Sequence, residues 1–192
     1  RSRLEFWNAL LDRATELPGM ASVAIASSSV PVTSFNGSST FVAEGRTDTV
    51  LAYNERVTPD YFNTLGIRLV RGRTFTPDDR IDRPSVLIVN ESMARALWPN
   101  ENPIGKRLSY EDAKPEWREV VGVVRDIAFP SIATAANIDT ELQIYQPIAQ
   151  NVPAVASILL KTSGQPDAVA PELKRIVAAL DRDVAVVGLS TG

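Results

Sequence analysis

Three-and-four spacing of apolar residues opens the chain. Leu4, Trp7, Leu10, Leu11, Ala14 and Leu17 fall on one stripe, with Arg3, Glu5, Asp12, Arg13 and Glu16 on the other faces. This spacing predicts an amphipathic helix over residues 1–17, stopped by Pro18-Gly19. Its polar face mixes charge signs, so Phe6 and Trp7 are expected in a core rather than on a membrane surface. Residues 23–28 read as a strand. Residues 27–39, rich in Ser and carrying Asn36-Gly37, read as an exposed loop. Residues 41–44 and 50–57 read as two strands of a hairpin or meander around Gly45-Arg46-Thr47-Asp48.

The densest run of start and stop signals lies between Val57 and Leu108. Thr58 is placed to cap a helix with Pro59 in its first position and Asp60 at the positive end of its dipole. Tyr61, Phe62 and Leu65 form its buried side, and Gly66 can end it in the left-handed conformation. Residues 67–75 read as a short strand bent at Gly72. Thr76-Pro77-Asp78-Asp79 repeats the capping pattern and predicts a second helix start. The apolar run 86–89 is a strand, and Asn90 caps a helix whose buried face holds Met93, Ala94, Leu97 and Trp98. Pro99 stops that helix, and Asn102-Pro103-Ile104-Gly105 turns into another short strand.

Beyond the charged connector 111–116, the valines at 120, 121, 123 and 124 lack strict alternation, as in a strand covered on both faces. Residues 127–142 are irregular and are expected to form a mobile loop or edge excursion, with Phe129, Ile132 and Ile138 facing a partner chain. A strand at 156–161 leads through Gly164-Gln165-Pro166-Asp167 into a last helix. Val169, Leu173, Ile176, Val177 and Leu180 form its buried stripe. Pro171 lies about one turn into that helix, where its cost is reduced. Residues 184–187 read as the closing strand of a βαβ or split unit.

The phrases YFNTLGIRLVRGRTF, VLIVNESMARALWP and NPIGKRL, in this order and spacing, resemble the periplasmic core domain of MacB-type ABC transporter permeases. The likeness is in particular to stand-alone permeases without a fused ATPase, the MacB/FtsX-like branch. Flanking phrases agree: FWNALLDRATELPGMASVAIAS before, and WREVVGVVRDIA, IYQPIAQ and ILLKTSGQPDAVAPELKRIVAALDRDVAV after. The resemblance fades at residues 30–51 and 128–142. It implies an α+β fold in which both chain ends, 1–56 and 116–192, form a porter-like βαβ subdomain. A sabre-like mixed α/β subdomain, 57–115, is inserted between them. It implies an extracytoplasmic domain of a bacterial inner-membrane permease, transmitting ATP-driven motion across the membrane for efflux or export. The implied partners are a second permease subunit, a cytoplasmic ATPase reached through membrane helices, and a periplasmic adaptor or outer-membrane channel.

Composition narrows the chemistry. The 192 residues suffice for one domain or two small subdomains, burying roughly 70% of the unfolded surface. A net charge of −3 argues against a nucleic-acid surface, which needs a basic stripe. No apolar run is long enough to cross a bilayer, and the chain starts at Arg1 without a signal peptide, as expected of a piece cut from a longer protein. Cys and His are both absent, which removes Cys nucleophiles, Ser-His-Asp triads and Cys/His zinc sites. A cysteine-free chain is compatible with an oxidising compartment.

The remaining motifs resolve into structural roles. Gly105-Lys106 lacks the distal glycine and the following Ser or Thr of a phosphate loop, having Asn100 and Arg107 there. Asp78, Asp79 and Asp82 lack the spacing of a calcium loop and read as a cap with solvated acids. Ser29, Ser92 and Ser190 have no nucleophile-elbow context. Arg68, Arg71 and Arg73 are candidates for a docking surface, against local pairing with the nearby aspartates; in a regular strand 71 and 73 share a face that 68 does not.

No catalytic residue, cofactor or metal is expected. Two rivals remain open from sequence: a periplasmic ligand- or lipid-binding module, which needs a deep apolar cavity, and a His-free carboxylate hydrolase, which needs two converging acids. Trp98 is expected to anchor a core, so Trp98→Ala should cost about 3–5 kcal/mol in urea denaturation.

Overall fold

The structure is a computed structural model, and it describes residues 2–27, 38–111, 115–127, 142–186 and 188. The first helix, α1 (Arg3–Thr15), buries Phe6, Leu10 and Ala14, flanked by half-buried Trp7 and Leu11. Its buried face is therefore centred one position away from the predicted stripe, which omitted Phe6. Ser2 caps it: the Ser2 hydroxyl accepts from the Glu5 N–H, and the Glu5 carboxylate accepts from the Ser2 N–H.

Strands β1 (Met20–Ala26), β2 (Ser38–Ala43) and β3 (Thr49–Val57) follow, with β2 and β3 as the expected antiparallel hairpin. A short helix α2 (Tyr61–Leu65) ends at Gly66 in the left-handed region, φ 70°, as the sequence predicts. Thr58, however, does not cap it. Its hydroxyl oxygen lies 2.9 Å from the Ile25 N–H, a buried donor that would otherwise be unpaired. Leu65 is exposed, and Tyr61, Phe62 and Thr64 form the buried side instead.

Strand β4 (Leu69–Gly72) is short. The stretch 76–79 forms a single turn, not a helix: the Thr76 N–H donates to the Asp79 carboxylate, which the Arg73 guanidinium also holds. Strand β5 (Val86–Asn90) feeds α3 (Glu91–Leu97), where the Asn90 side chain accepts from the Met93 N–H. Then come β6 (Arg107–Tyr110), β7 (Arg118–Val124), β8 (Gln143–Pro147), β9 (Ser157–Thr162) and α4 (Pro166–Leu180). Residues 184–186 form no strand, and Val184 and Val186 are exposed. The predicted closing strand at 184–187 is thus absent over its described part.

The strands pair in the order β2-β6-β7-β5-β8-β3-β1-β9, and β2 pairs with β3 as well. The first six therefore close a ring. Pairs β5–β7 and β3–β8 are parallel, and the others in the ring antiparallel. Every ring strand sends residues into one core: Phe41 and Ala43, Ala52, Leu87 and Val89, Leu108, Val120 and Val123, and Ile144. Met93, Leu97 and Trp98 of α3 complete it. The opposite face of the ring packs Val57, Val86, Ile88, Val121 and Tyr145 against Ala24, Ala26, Tyr61 and Phe62. Strands β5 and β7 are thus covered on both faces, which explains their unbroken apolar runs.

The helices α1 and α4 lie on the free face of β1 and β9. Ala14, Val23, Val169 and Leu173 form one cluster there, and Phe6, Leu10 and Val177 another. The α4 stripe is the predicted one. Strands β7 and β8, which the sequence reading groups with the chain ends, pair as follows: β7 with β4, β5 and β6, and β8 with both β3 and β5.

Strand β4 crosses β7 at two glycines. Gly72 has φ 74°, and a Cβ added to Gly122 would sit 2.2 Å from the Arg73 carbonyl oxygen, a backbone atom that cannot step aside. Gly122→Ala should therefore displace β4 and cost about 1–3 kcal/mol or more by urea denaturation. A cost below a few tenths would contradict this close approach.

Candidate functional site

Strand β4 carries the arginines singled out by sequence, and the structure separates their roles. Gly72's positive φ and a register shift between Leu69 and Arg71 break the alternation that a regular strand would impose. Arg73 is spent locally: its guanidinium grips Asp79 with two bonds, Nη1 to Oδ2 at 2.7 Å and Nη2 to Oδ1 at 2.9 Å. Asp79 is only 5% exposed and also accepts from the Thr76 N–H at 2.8 Å. Among the described residues, the Arg71 side chain reaches Asn102 Oδ1, at 3.2 Å. Arg68 is exposed and its side chain has no polar partner among the described residues. Phe129, Ile132 and Ile138 lie outside the described residues.

Charge around β4 is otherwise neutralised. Arg95 pairs with Asp126, which also binds the Ser92 N–H and hydroxyl, and Arg125 pairs with Glu91 at 3.5 Å. Arg80 takes both Asp78 and Asp82. The three aspartates weighed as calcium ligands are thus each bound by arginine, and the described residues contain no cluster of acids able to hold a metal. Ser29 and Ser190 lie outside the described residues.

A second set of polar groups sits where β1 meets β3. Ala26 pairs with Val57, and the Ser27 N–H donates to the Arg56 carbonyl at 2.9 Å. The Thr58 N–H donates to the Ile25 carbonyl at 3.0 Å. Glu55, fully buried, accepts from the Ser27 hydroxyl at one oxygen and the Tyr53 hydroxyl at the other. Tyr145 donates to Gln143 Oε1 at 2.9 Å. Burial raises the titration of the Tyr61 hydroxyl, with the nearby Glu55 adding to it, and burial does the same to Tyr145. The sequence reading does not single out Glu55; the signal that could do so is its place between Tyr53 and Val57, alternating on one face of β3.

Two surface clefts are open to solvent. One, of about 530 Å³, is lined by Arg46, Thr47, Thr49, Glu111, Pro115 and Trp117 among others; the second, of about 180 Å³, lies between β4 and α3. Neither is the deep apolar cavity that a ligand carrier would need. The carboxylates with lowered titration, Asp48, Asp79 and Asp82, face arginines rather than one another.

For Asp79, burial works to raise the carboxyl pKa, but the bonds from Arg73 and from Thr76 outweigh it and leave the pKa below its ordinary value. A depressed folded-state pKa means stability present above the unfolded value, about 4, and lost as pH falls through the folded value. Asp79→Asn should therefore cost about 1–2 kcal/mol at pH 7, a modest figure because Arg73 is half exposed. In urea denaturation across pH, the gap to the parent chain should shrink below pH 4; a pH-independent gap would contradict the ion pair.

Comparison with known proteins agrees with this architecture. A family model described as MacB-like periplasmic core domain matches residues 3–176. The macrolide export ATP-binding/permease protein MacB of Aggregatibacter actinomycetemcomitans is 39% identical over 66 residues, which are 34% of this chain and 10% of that protein. The MacB of Mannheimia succiniciproducens is 33% identical over 78 residues, 41% of this chain and 12% of that protein. The matched region thus spans about a tenth of these relatives' length.

Among solved structures, the periplasmic region of MacB from Actinobacillus actinomycetemcomitans superposes with a TM-score of 0.63 at 21% identity, over 90% of this chain and 73% of that one. The extracellular domain of the noncanonic ABC-type transporter YknZ from Gram-positive bacteria gives 0.59 at 16% identity, over 88% and 81%. At such identities the superpositions show a shared mixed α/β fold. No helix among the described residues is long and apolar enough to cross a membrane. With most of its length matched by the family, the chain belongs to the MacB-like periplasmic core domains, the extracytoplasmic domain of ABC transporter permeases.

Proposed function

We propose that this domain is a non-enzymatic lever, transmitting ATP-driven movement of membrane helices to the far side of the membrane for efflux or export. The observation that carries this reading is the unbroken hydrogen-bonded path from β9 through β1 and β3 into the ring. A lever must move as one body, and a packed interior with paired strands supplies stiffness that loops cannot. Residues 1–56 and 116–192 would form the membrane-side part and 57–115 the outer part. The β4–β7, β5–β7, β6–β7 and β5–β8 ladders cross that division and favour concerted displacement.

In this reading the domain works beside a second permease subunit, and a cytoplasmic ATPase drives it through membrane helices. A periplasmic adaptor or outer-membrane channel is the proposed receiver of the motion. Arg68 and Arg71 are the proposed contact residues, since both are exposed and neither is in an ion pair among the described residues. Arg73, the third arginine of the candidate surface, is held by Asp79 and is given no part in this proposed contact.

The chain's lack of cysteine permits a direct test in the full-length transporter. A single cysteine at Ile81, 79% exposed in the central stretch, should crosslink to its copy in the second subunit with a yield that changes between ATP-bound and nucleotide-free states. Equal crosslinking in both states at Ile81, and at a second exposed site such as Val70, would count against the lever.

A further inference from the structure

We draw no further inference here: the strongest candidate, the outer edge of β4, unpaired among the described residues, with Leu69 and Val70 exposed beside Arg68 and Arg71, carries nothing, because its bulge and arginines also suffice to blunt a bare edge and nothing in the structure shows what covers it.

Discussion

Two layers of this domain meet where β1 ends against β3, beside the packing of α2 on β1 and β9 and the Ser22–Thr64 hydroxyl contact. Among the described residues, one Cα pair, Ala26 with Val57, is all the ladder that β1 and β3 share. Side chains extend it: Thr58 accepts from the Ile25 N–H, and Ser27 bridges the Arg56 N–H to the buried Glu55 carboxylate. A charged group taken out of water is costly unless its oxygens are bonded, and here both oxygens of Glu55 accept hydroxyl protons. The apolar contact of Ala24 and Ala26 with Tyr61, Phe62 and Tyr145 seals the same junction. If this seam and the α2 packing beside it give way, the helix layer and the ring become two bodies.

On either side of the seam the architecture is sturdier. The ring needs no edges of its own, since β2 closes onto β3, and its interior holds residues from every strand. Strand β7 is its most heavily paired member, with β5 on one side and both β6 and β4 on the other. That arrangement depends on Gly122, where the backbone of β4 comes too near for a side chain. On the other side of the seam, α1 and α4 pack against one another through Phe6, Leu10 and Val177, and clamp β1 and β9. Sheet continuity across the seam is the physical basis for reading the domain as a transmitter of motion rather than a container.

Much of the local structure was legible because its signals are local. Asn90 before the amphipathic α3, Gly66 after the short α2, and the α4 stripe each act within one or two helical turns. The both-faces-buried character of β5 and β7 was readable from valine runs without alternation. Failures came where a side chain is claimed by a partner that the capping pattern does not include, whether distant or close along the chain. Thr58 looks like a cap until the Ile25 N–H, 33 positions away, claims its hydroxyl. Asp79 satisfies the capping pattern, yet Arg73 and the Thr76 N–H hold it in one turn with no helix to follow. Ser2 and Glu5, by contrast, form a capping box whose Ser-x-x-Glu spacing is itself a local signal. Ring closure could not be read at all, because pairing of β2 with β6 joins residues 65 to 69 positions apart, from Ala43 with Leu108 to Phe41 with Tyr110, with no local trace.

The central claim is that the helix layer and the ring open together. Native-state hydrogen exchange on the 192-residue chain under mild denaturant measures this residue by residue. The account predicts that amides of Val23 and Ile25 on β1, Leu160 on β9, and Val120 and Val123 on β7 exchange through the same opening, with one free energy equal to that of global unfolding. Exchange of the β1 and β9 amides at a distinctly lower free energy than those of β7 would show a hinged pair of bodies and contradict it.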